Sequence, residues 1–350
     1  MKQMILTAAA TLCLALPTFA QAQMTYPEPQ RIVSGLSGPW SVGFLPGGGL
    51  LITEKRGRLL RISPDGERAQ VSGLPEIRVK GQGGLLDLAL ASDFASSGRI
   101  YLSYVTPQPG GEGTAVASAT LEGATLEDVR TIFEMKEGSN GGRHFGGRIV
   151  EESQTGALFL TIGDRGDRPS AQDPARDNGK IIRIDPATGS HETWTMGHRN
   201  PQGLAFAPDG TLWSHEHGAR GGDEINRIET GKNYGWPVIA YGRHYSGAKI
   251  GEGTSKPGLE QPAFYWDPSI APSGMAIHSG EGWPEMKGRM FIGSLKFDHI
   301  AVMAPSGAEQ IGKIETPQTQ RVRDVRIGPR GGIWFLSEGR GALYRIGPPE

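Results

Sequence analysis

His144 is a candidate general base in a glycine-rich segment. Residues 141–150 read GGRHFGGRIV, with arginine and glycine on both sides of the histidine. Histidine is the side chain whose proton moves near neutral pH, and glycine lets the backbone pass close to another group. Asp164, one strand pair later in TIGDRGD, either orients the His144 ring and raises its basicity or is a turn residue. The sequence leaves both interpretations of Asp164 open.

Further polar residues recur at loops or strand ends along the chain. They are Gln82, Arg199, Asn200, Lys296, Arg321 and Arg323. Four of the six are cations, and arginine forks match the geometry of carboxylates two bonds at a time. A single arginine is usually a solvated surface charge, but convergence of several predicts a ligand with several negative charges.

The segment SHEHGARGGDEINRI offers two kinds of metal site. His215 and His217 suggest a transition metal, although alternation along a strand also explains the pair. The run that follows suits a hard cation better. The backbone carbonyls of Gly218 and Ala219 in an open loop and the carboxylate of Glu224 are oxygen ligands of the kind that calcium takes.

A repeated unit must position these residues. Six segments share an alternating apolar strand, a turn, a second apolar strand, a glycine-rich turn and a third strand. The turn glycines before the second strand are Gly49, Gly98, Gly156, Gly210, Gly288 and Gly332. Most of their spacings lie near the ~40–50 residues of a propeller blade. The sequence therefore predicts an all-β fold, a six-bladed β-propeller of four-stranded antiparallel sheets, with the polar loops over its central channel.

The organisation predicted from these repeats is a single propeller domain over residues 23–350. The strand after Tyr26 is predicted to pair with the last blade and close the ring. The longest spacing, between Gly210 and Gly288, predicts an insertion at about 236–262 on the face that carries function.

The first 22 residues have the pattern of a secretory signal peptide. Lys2 precedes an apolar run from Met4 to Leu16, and Ala20 and Ala22 form an A-x-A site. The apolar run is shorter than the roughly 20 residues that span a bilayer, so we expect export without membrane insertion. Cys13, the only cysteine, lies in this segment, which excludes disulfides and a thiolate nucleophile from the mature chain.

Charge and motifs exclude several function classes. Lys and Arg number 36 against 37 Asp and Glu, so no overall field recruits nucleic acid or a membrane surface. The chain contains no G-x-S-x-G elbow, no G-x-G-x-x-G after a first strand, no Walker A sequence and no C-x-x-C-H haem site. Nicotinamide and flavin sites of the Rossmann type are therefore disfavoured.

In its motifs the chain resembles the soluble pyrroloquinoline quinone (PQQ)-dependent sugar dehydrogenases, the family of soluble glucose dehydrogenase and the aldose sugar dehydrogenases. The resemblance runs from about Pro39 to Ile346. It is carried, in order, by GQGGLLDLAL, GGRHFGGR, TIGDRGD, GHRNPQGLAF, GGDEINRIETGKNYGWP, GSLK and RVRD. The short loops and the NYGWP context are more similar to the aldose sugar branch.

The resemblance implies oxidation of aldose sugars at C1 to the lactone, with broad sugar specificity and PQQ and calcium as cofactors. His144 would be the general base and Asp164 the group that orients it. The residues matching those that hold the quinone are Gln82, Arg199, Asn200, Lys296, Arg321 and Arg323. The Gly218 and Ala219 carbonyls match ligands of the catalytic calcium. Glu224 and the backbone oxygen of Tyr234 match a second, structural calcium site.

The resemblance also implies an external electron acceptor, a monomer or weak dimer, and a periplasmic or secreted protein. The chain departs from the family pattern in three places. Ala219 stands where the family often has Pro, and Arg143 where it often has Asp. Phe264 and Asp267 occupy the apparent register of aromatic residues that cover the quinone in the glucose-specific branch.

Two other functions remain open on sequence grounds. A calcium-dependent sugar lactonase shares the expected fold and export, but it needs several acidic metal ligands on the channel and no cationic cluster. A binding propeller without chemistry would use the arginines to recognise an acidic peptide or glycan. The proximity of His144 and Asp164 would then be incidental.

Overall fold

The computed structural model describes residues 25–348. Within them, twenty-four strands form six four-stranded antiparallel sheets. The predicted six-bladed β-propeller is confirmed. The predicted signal peptide, residues 1–22, lies outside the described residues. No helix within residues 25–348 has the length and apolar character needed to cross a membrane.

The first three blades follow one another along the chain. Blade 1 contains β2 (Pro39–Phe44), β3 (Leu50–Glu54), β4 (Arg58–Ile62) and β5 (Arg68–Gln70). Blade 2 contains β6 (Leu85–Leu90), β7 (Arg99–Gln108), β8 (Gly111–Glu122) and β9 (Thr125–Glu134). Blade 3 contains β10 (Ile149–Glu151), β11 (Leu158–Ile162), β12 (Lys180–Ile184) and β13 (His191–Met196).

The remaining three blades complete the ring. Blade 4 contains β14 (Pro201–Phe206), β15 (Leu212–Glu216), β16 (Asp223–Ile228) and β17 (Phe264–Trp266). Blade 5 contains β18 (Pro272–Ile277), β19 (Met290–Ser294), β20 (Ile300–Met303) and β21 (Gln310–Ile314). Blade 6 contains β22 (Val322–Ile327), β23 (Ile333–Ser337), β24 (Ala342–Ile346) and β1 (Gln30–Val33).

The helices are short and lie in connections. One α-helix, α1 (Phe94–Ser97), precedes β7. The 3-10 helices are Arg168–Gln172, Pro284–Met286 and Pro329–Gly331. The stretch between β16 and β17 contains the predicted insertion at 236–262.

The ring is closed by the two ends of the chain. β1 pairs with β24 in antiparallel register, so blade 6 has the strand order β1-β24-β23-β22. The predicted pairing of the N-terminal strand with the last blade is confirmed. The first strands of neighbouring blades contact one another around the axis, and β22 meets β2 to complete the circle.

The core consists of apolar layers between neighbouring blades. All five residues of β11 and of β19 are buried, which explains why these second strands read as continuous apolar runs. Tyr101 of blade 2, for example, packs in one cluster with Leu158 and Ile182 of blade 3. Each sheet therefore shares both faces with its neighbours.

A buried ionic cluster fills the central channel. Arg148 Nη1 lies 3.1 Å from Asp87 Oδ1 and 3.0 Å from Asp324 Oδ1. Arg326 contacts the same two carboxylates, at 2.6 Å and 2.9 Å respectively. The Arg148 guanidinium also lies 4.3 Å from the centre of the Trp40 ring. We call these four charged residues the axial cluster, which joins blades 2, 3 and 6, while Trp40 adds a contact from blade 1.

One end of the ring collects the candidate residues. The start of a blade's first strand pairs with the end of its second strand, as Pro201 does with Glu216 and Val322 with Ser337. Loops before the first strand and after the second strand therefore lie on the same face. We call it the site face.

Candidate active site

His144 lies on the loop that leads from blade 2 into blade 3. Its φ of 54° is left-handed, a conformation that is uncommon for residues other than glycine and that clusters at functional sites. The backbone N–H of His144 donates to Oε1 of Gln82 at 2.7 Å. Gln82 therefore helps to fix the loop that carries the histidine.

The glycines around His144 serve the packing of this loop. A Cβ on Gly146 would collide with the backbone of Thr161 and Ile162, and one on Gly147 with the side chain of Leu86. The sequence predicts that these glycines let the backbone pass close to another group. Their immediate neighbours are the next strand and the next blade, so close backbone approach within the protein explains them.

Asp164 follows β11 and meets the His144 ring. Nδ1 of His144 lies 2.6 Å from Oδ1 of Asp164. The same oxygen accepts from the Gly166 backbone N–H at 2.7 Å, and Oδ2 accepts from the indole N–H of Trp236 at 2.9 Å. An ionised carboxylate only accepts hydrogen bonds, so Nδ1 must carry the proton of a neutral ring. The lone pair of Nε2 is then available to take a proton.

The electrostatics favour this neutral ring beside an ionised carboxylate. Burial lowers the pKa of His144, as does the charge of Arg199, while the hydrogen bond to Asp164 opposes that shift only in part. Burial alone raises the pKa of Asp164, but the His144 contact, the Gly166 N–H and Arg199 bring it below its usual range. The pair is thus suited to general base chemistry at neutral pH.

A cavity of about 230 Å³ opens beside this pair on the site face. It is lined by Trp40, Lys55, Gln82, Leu86, Phe145, Gly146, Asn200, Gln202, His217, Leu295, Arg321, Arg323 and Glu338. Three cations, Lys55, Arg321 and Arg323, face one carboxylate, Glu338. The excess of positive charge suits a ligand that carries several carboxylates.

Glu338 holds the two arginines from blade 6. Its Oε2 lies 2.8 Å from Nη2 of Arg323 and 3.7 Å from Nη2 of Arg321. Arg323 Nη1 also donates to Ser273 Oγ at 3.2 Å. Burial raises the pKa of Glu338, but Arg323 and Arg321 lower it overall, so the carboxylate is ionised. Contacts within the protein therefore orient both arginines.

The other predicted quinone-binding residues are distributed around this cavity. Asn200 Oδ1 lies 3.3 Å from the Gly146 backbone N–H, on the same loop as His144. Arg199 is buried next to the cavity, where Nη1 donates to the carbonyl of His217 at 3.0 Å. Lys296 is exposed, with Nζ 4.8 Å from the centre of the Phe297 ring, and it lies outside the lining.

The four predicted metal ligands line one small cavity of about 20 Å³ next to Arg199. They are Gly218, Ala219, Glu224 and Tyr234. Burial raises the pKa of Glu224 to about 8, and the charge of Glu216 adds to the shift. A partly buried carboxylate whose pKa is raised by burial and by a second carboxylate fits a calcium site, since the ion would supply positive charge between them.

Asp223 supports the loop that carries two of these ligands. Its Oδ1 accepts from the Gly218 backbone N–H at 2.8 Å, and Oδ2 accepts from the Ala271 backbone N–H at 2.8 Å. Ala271 directly precedes β18. Because one carboxylate binds both Gly218 and Ala271, it holds the loop against the start of blade 5.

The histidine pair at 215 and 217 is explained by the sheet. Nε2 of His215 lies 3.1 Å from the Gly274 carbonyl, and Nε2 of His217 lies 2.8 Å from the Pro272 carbonyl. Burial lowers the pKa of His215 to about 3. Both rings therefore link blade 4 to the first strand of blade 5.

Phe264 does not lie over the cavity, contrary to the register suggested by sequence. It is on the outer strand β17, where its ring packs edge-on against Trp266 at 5.1 Å between centroids. Asp267, just after that strand, is exposed near Gly221 on the site face. Packing between blades 4 and 5 accounts for Phe264.

Sequence reasoning missed four residues of this region, which are Lys55, Asp223, Trp236 and Glu338. Lys55 and Glu338 each follow the second strand of a blade directly, a position equivalent to that of His217. The repeat pattern could therefore have predicted that Lys55 and Glu338 lie on the site face. The Trp236 contact could not have been predicted, because it spans 72 residues between two separate loops.

Comparison with known proteins decides the family. The model of the family described as Glucose / Sorbosone dehydrogenase matches residues 36–345. The chain belongs to this family. It is accordingly an oxidoreductase.

Several relatives show how closely the chain follows the Glucose / Sorbosone dehydrogenase family. It is 42% identical over 337 residues to the aldose sugar dehydrogenase YliI of Escherichia coli, covering 89% of this chain and 91% of that protein. It is 30% identical to quinoprotein glucose dehydrogenase B of Acinetobacter calcoaceticus, over 67% of this chain and 57% of that protein.

Solved structures agree with this assignment. The apo-form of the soluble aldose sugar dehydrogenase of Escherichia coli matches with a TM-score of 0.87 and 39% identity, over 92% of this chain and 99% of that one. The PQQ-bound aldose sugar dehydrogenase of Streptomyces coelicolor matches with a TM-score of 0.76 over 91% of this chain and 96% of that one. At 24% identity, the latter shows a shared fold.

Proposed function

We propose that this protein oxidises aldose sugars at C1 to the lactone, with PQQ and calcium as cofactors and with broad sugar specificity. The observation that carries the proposal is the cationic cavity beside the His144–Asp164 pair. The relatives whose names include quinoprotein or PQQ-bound support it. A lactonase has no use for three cations in this position.

His144 is proposed as the general base. Its Nε2 takes the proton of the anomeric hydroxyl, which pushes electron density towards C1. Asp164 holds the ring and stabilises the imidazolium that forms. When bound, PQQ supplies the acceptor for the hydride of C1 and calcium polarises that acceptor as a Lewis acid.

The quinone is proposed to bind in the cationic cavity. Arg321 and Arg323 offer forked donors to carboxylates, and Gln82 and Asn200 offer amide groups in the same lining. Arg199 and Lys296 complete the set from the neighbouring blades. The three carboxylates of PQQ match this surplus of positive charge.

Calcium is proposed to bind at two places beside Arg199. The carbonyls of Gly218 and Ala219 would ligate the catalytic ion. Glu224 and the carbonyl of Tyr234 would ligate a structural ion, which would account for a carboxylate with a raised pKa there.

The cellular setting is part of the proposal. Residues 1–22 would direct export as a signal peptide, and the mature enzyme would act in the periplasm or outside the cell as a monomer or weak dimer. The electrons would pass from the reduced cofactor to an external acceptor.

Dye reduction by the purified protein with glucose and other aldoses tests this function. We expect activity only after both PQQ and calcium are added. No activity with any aldose, together with no quinone absorbance retained after desalting, would exclude the proposal.

A further inference from the structure

The Asp164 carboxylate has three donors, and one comes from outside blade 3. Oδ1 accepts from His144 and from the backbone of Gly166, whereas Oδ2 accepts from Nε1 of Trp236 at 2.9 Å. Because both oxygens are engaged, the carboxylate cannot rotate without breaking a hydrogen bond. The plane of the His144 ring is set by this carboxylate in turn.

Trp236 is held firmly enough to act in this way. Its backbone N–H donates to the Gly197 carbonyl at 2.9 Å, and its own carbonyl accepts from Nε2 of Gln172 at 2.7 Å. The side chain is 6% exposed and packs in one cluster with Ala171 and Ile250. The loop between β16 and β17 thus places a hydrogen-bonded and packed indole beside Asp164.

The face of the same indole serves a second residue. The guanidinium carbon of Arg199 lies 5.3 Å from the centre of the Trp236 ring, within the range of a cation–π contact. The N–H edge and the ring face therefore have separate partners. Phenylalanine at this position would keep an aromatic face for Arg199 and remove the donor to Asp164.

We propose that Trp236 is a positioning residue for the general base, whose indole N–H locks the Asp164 carboxylate so that the His144 ring presents Nε2 to the sugar. The catalytic part of this inference rests on the proposed function. Without the indole donor, the negative charge of Asp164 is shared by fewer donors and acts more strongly on His144. The ring then holds its proton more tightly, and its orientation becomes less defined.

The charged groups that face His144 are Asp164, Arg199 and Arg143. All three remain in a Trp236→Phe variant. A change in the titration of His144 in that variant would therefore report the lost indole N–H.

The matched control is Trp266→Phe. Trp266 is an equally buried tryptophan of the same blade, and its Nε1 donates at 2.8 Å to Oε1 of Gln310. Both residues are far in sequence from His144 and Asp164. Trp266→Phe shows how the loss of an indole hydrogen bond away from His144 affects activity and the His144 pKa.

The experiment measures kcat with PQQ, calcium and glucose, and the pKa of His144 by NMR in the full chain labelled with ¹⁵N-histidine. We expect Trp236→Phe to lower kcat by about ten- to a hundredfold and to raise the His144 pKa. Quinone affinity should stay near that of the wild type. Trp266→Phe should leave all three values near those of the wild type.

A His144 pKa or a kcat that matches the wild type in Trp236→Phe overturns the proposal. If the wild type oxidises no aldose, the proposed function fails. The His144 pKa then still shows whether the Trp236 indole affects the His144–Asp164 pair. Should Trp236→Phe not fold, the indole N–H resonance of Trp236 is followed in Asp164→Asn. An upfield shift supports the contact, and an unchanged resonance overturns it.

Discussion

The ring of His144 and the carboxylate of Asp164 meet at 2.6 Å although one lies before blade 3 and the other after its second strand. The antiparallel pairing of β10 with β11 brings these two chain positions to the same face. The contact fixes the tautomer of the ring, and the first two predictions follow from it.

Replacing His144 by Gln should remove the base and keep the cavity. We expect turnover to fall by about 10²- to 10⁴-fold, while quinone affinity, measured by absorbance after desalting, is retained. His191→Gln, at an exposed histidine of blade 3, is the control. Unchanged turnover in His144→Gln would remove this residue from the base role.

The activity should persist into mildly acidic solution. Because burial lowers the pKa of His144, the neutral base survives below the ordinary histidine value of about 6.5. The acid limb of kcat/KM against pH should therefore have its midpoint below that value. Asp164→Asn removes the carboxylate that raises the pKa, so it should move the limb further towards acid and lower the rate. A wild-type midpoint at or above 6.5 contradicts this assignment.

The repeats made the architecture predictable, whereas the contacts that tune the site were not. Six turn glycines marked the starts of the second strands, and loops at the opposite ends of those strands form the site face. Trp236 could not be inferred, because its contact with Asp164 depends on the path of a long irregular loop. Phe264 was misplaced for a related reason: short strands do not reveal which way a ring turns between two blades.

Arg323 should contribute more to quinone affinity than an exposed arginine of the same blade. Its fork is aimed into the cavity by Glu338 and Ser273. We expect Arg323→Gln to weaken PQQ binding by about ten- to a hundredfold, the loss typical of a charged hydrogen bond. Arg340→Gln, at an exposed arginine in the turn between β23 and β24, is the control, and equal affinities in the two variants would exclude Arg323 as a contact.

Calcium should stabilise the protein through Glu224. A cation bound only by the folded state raises the midpoint of thermal unfolding, by about 2–4 °C for each kcal/mol gained. We expect calcium to raise the Tm of the wild type and to have a much smaller effect on Glu224→Gln. Glu229→Gln, an exposed carboxylate just after β16, should respond like the wild type. An equal calcium response in Glu224→Gln would place the ion elsewhere.

The axial cluster should make a large contribution to stability. Arg148→Met leaves Asp87 and Asp324 buried with one arginine between them, and we expect a loss of about 3–5 kcal/mol in the free energy of unfolding. Lys313→Met breaks an exposed ion pair with Glu315 and should change it by less than about 1 kcal/mol. Urea unfolding measures both, and similar losses would mean that the cluster is no stronger than a surface pair.

Blade 6 is built from both ends of the chain, and this affects the cavity beside it. β1 from the start of the chain completes the sheet that contains β22, and Arg321 and Arg323 lie just before and within that strand. A chain shortened at either end would lack a strand of this sheet, and the blade that carries both arginines would be left with an unpaired edge. Binding at the arginine side of the cavity is thereby tied to the presence of both chain ends.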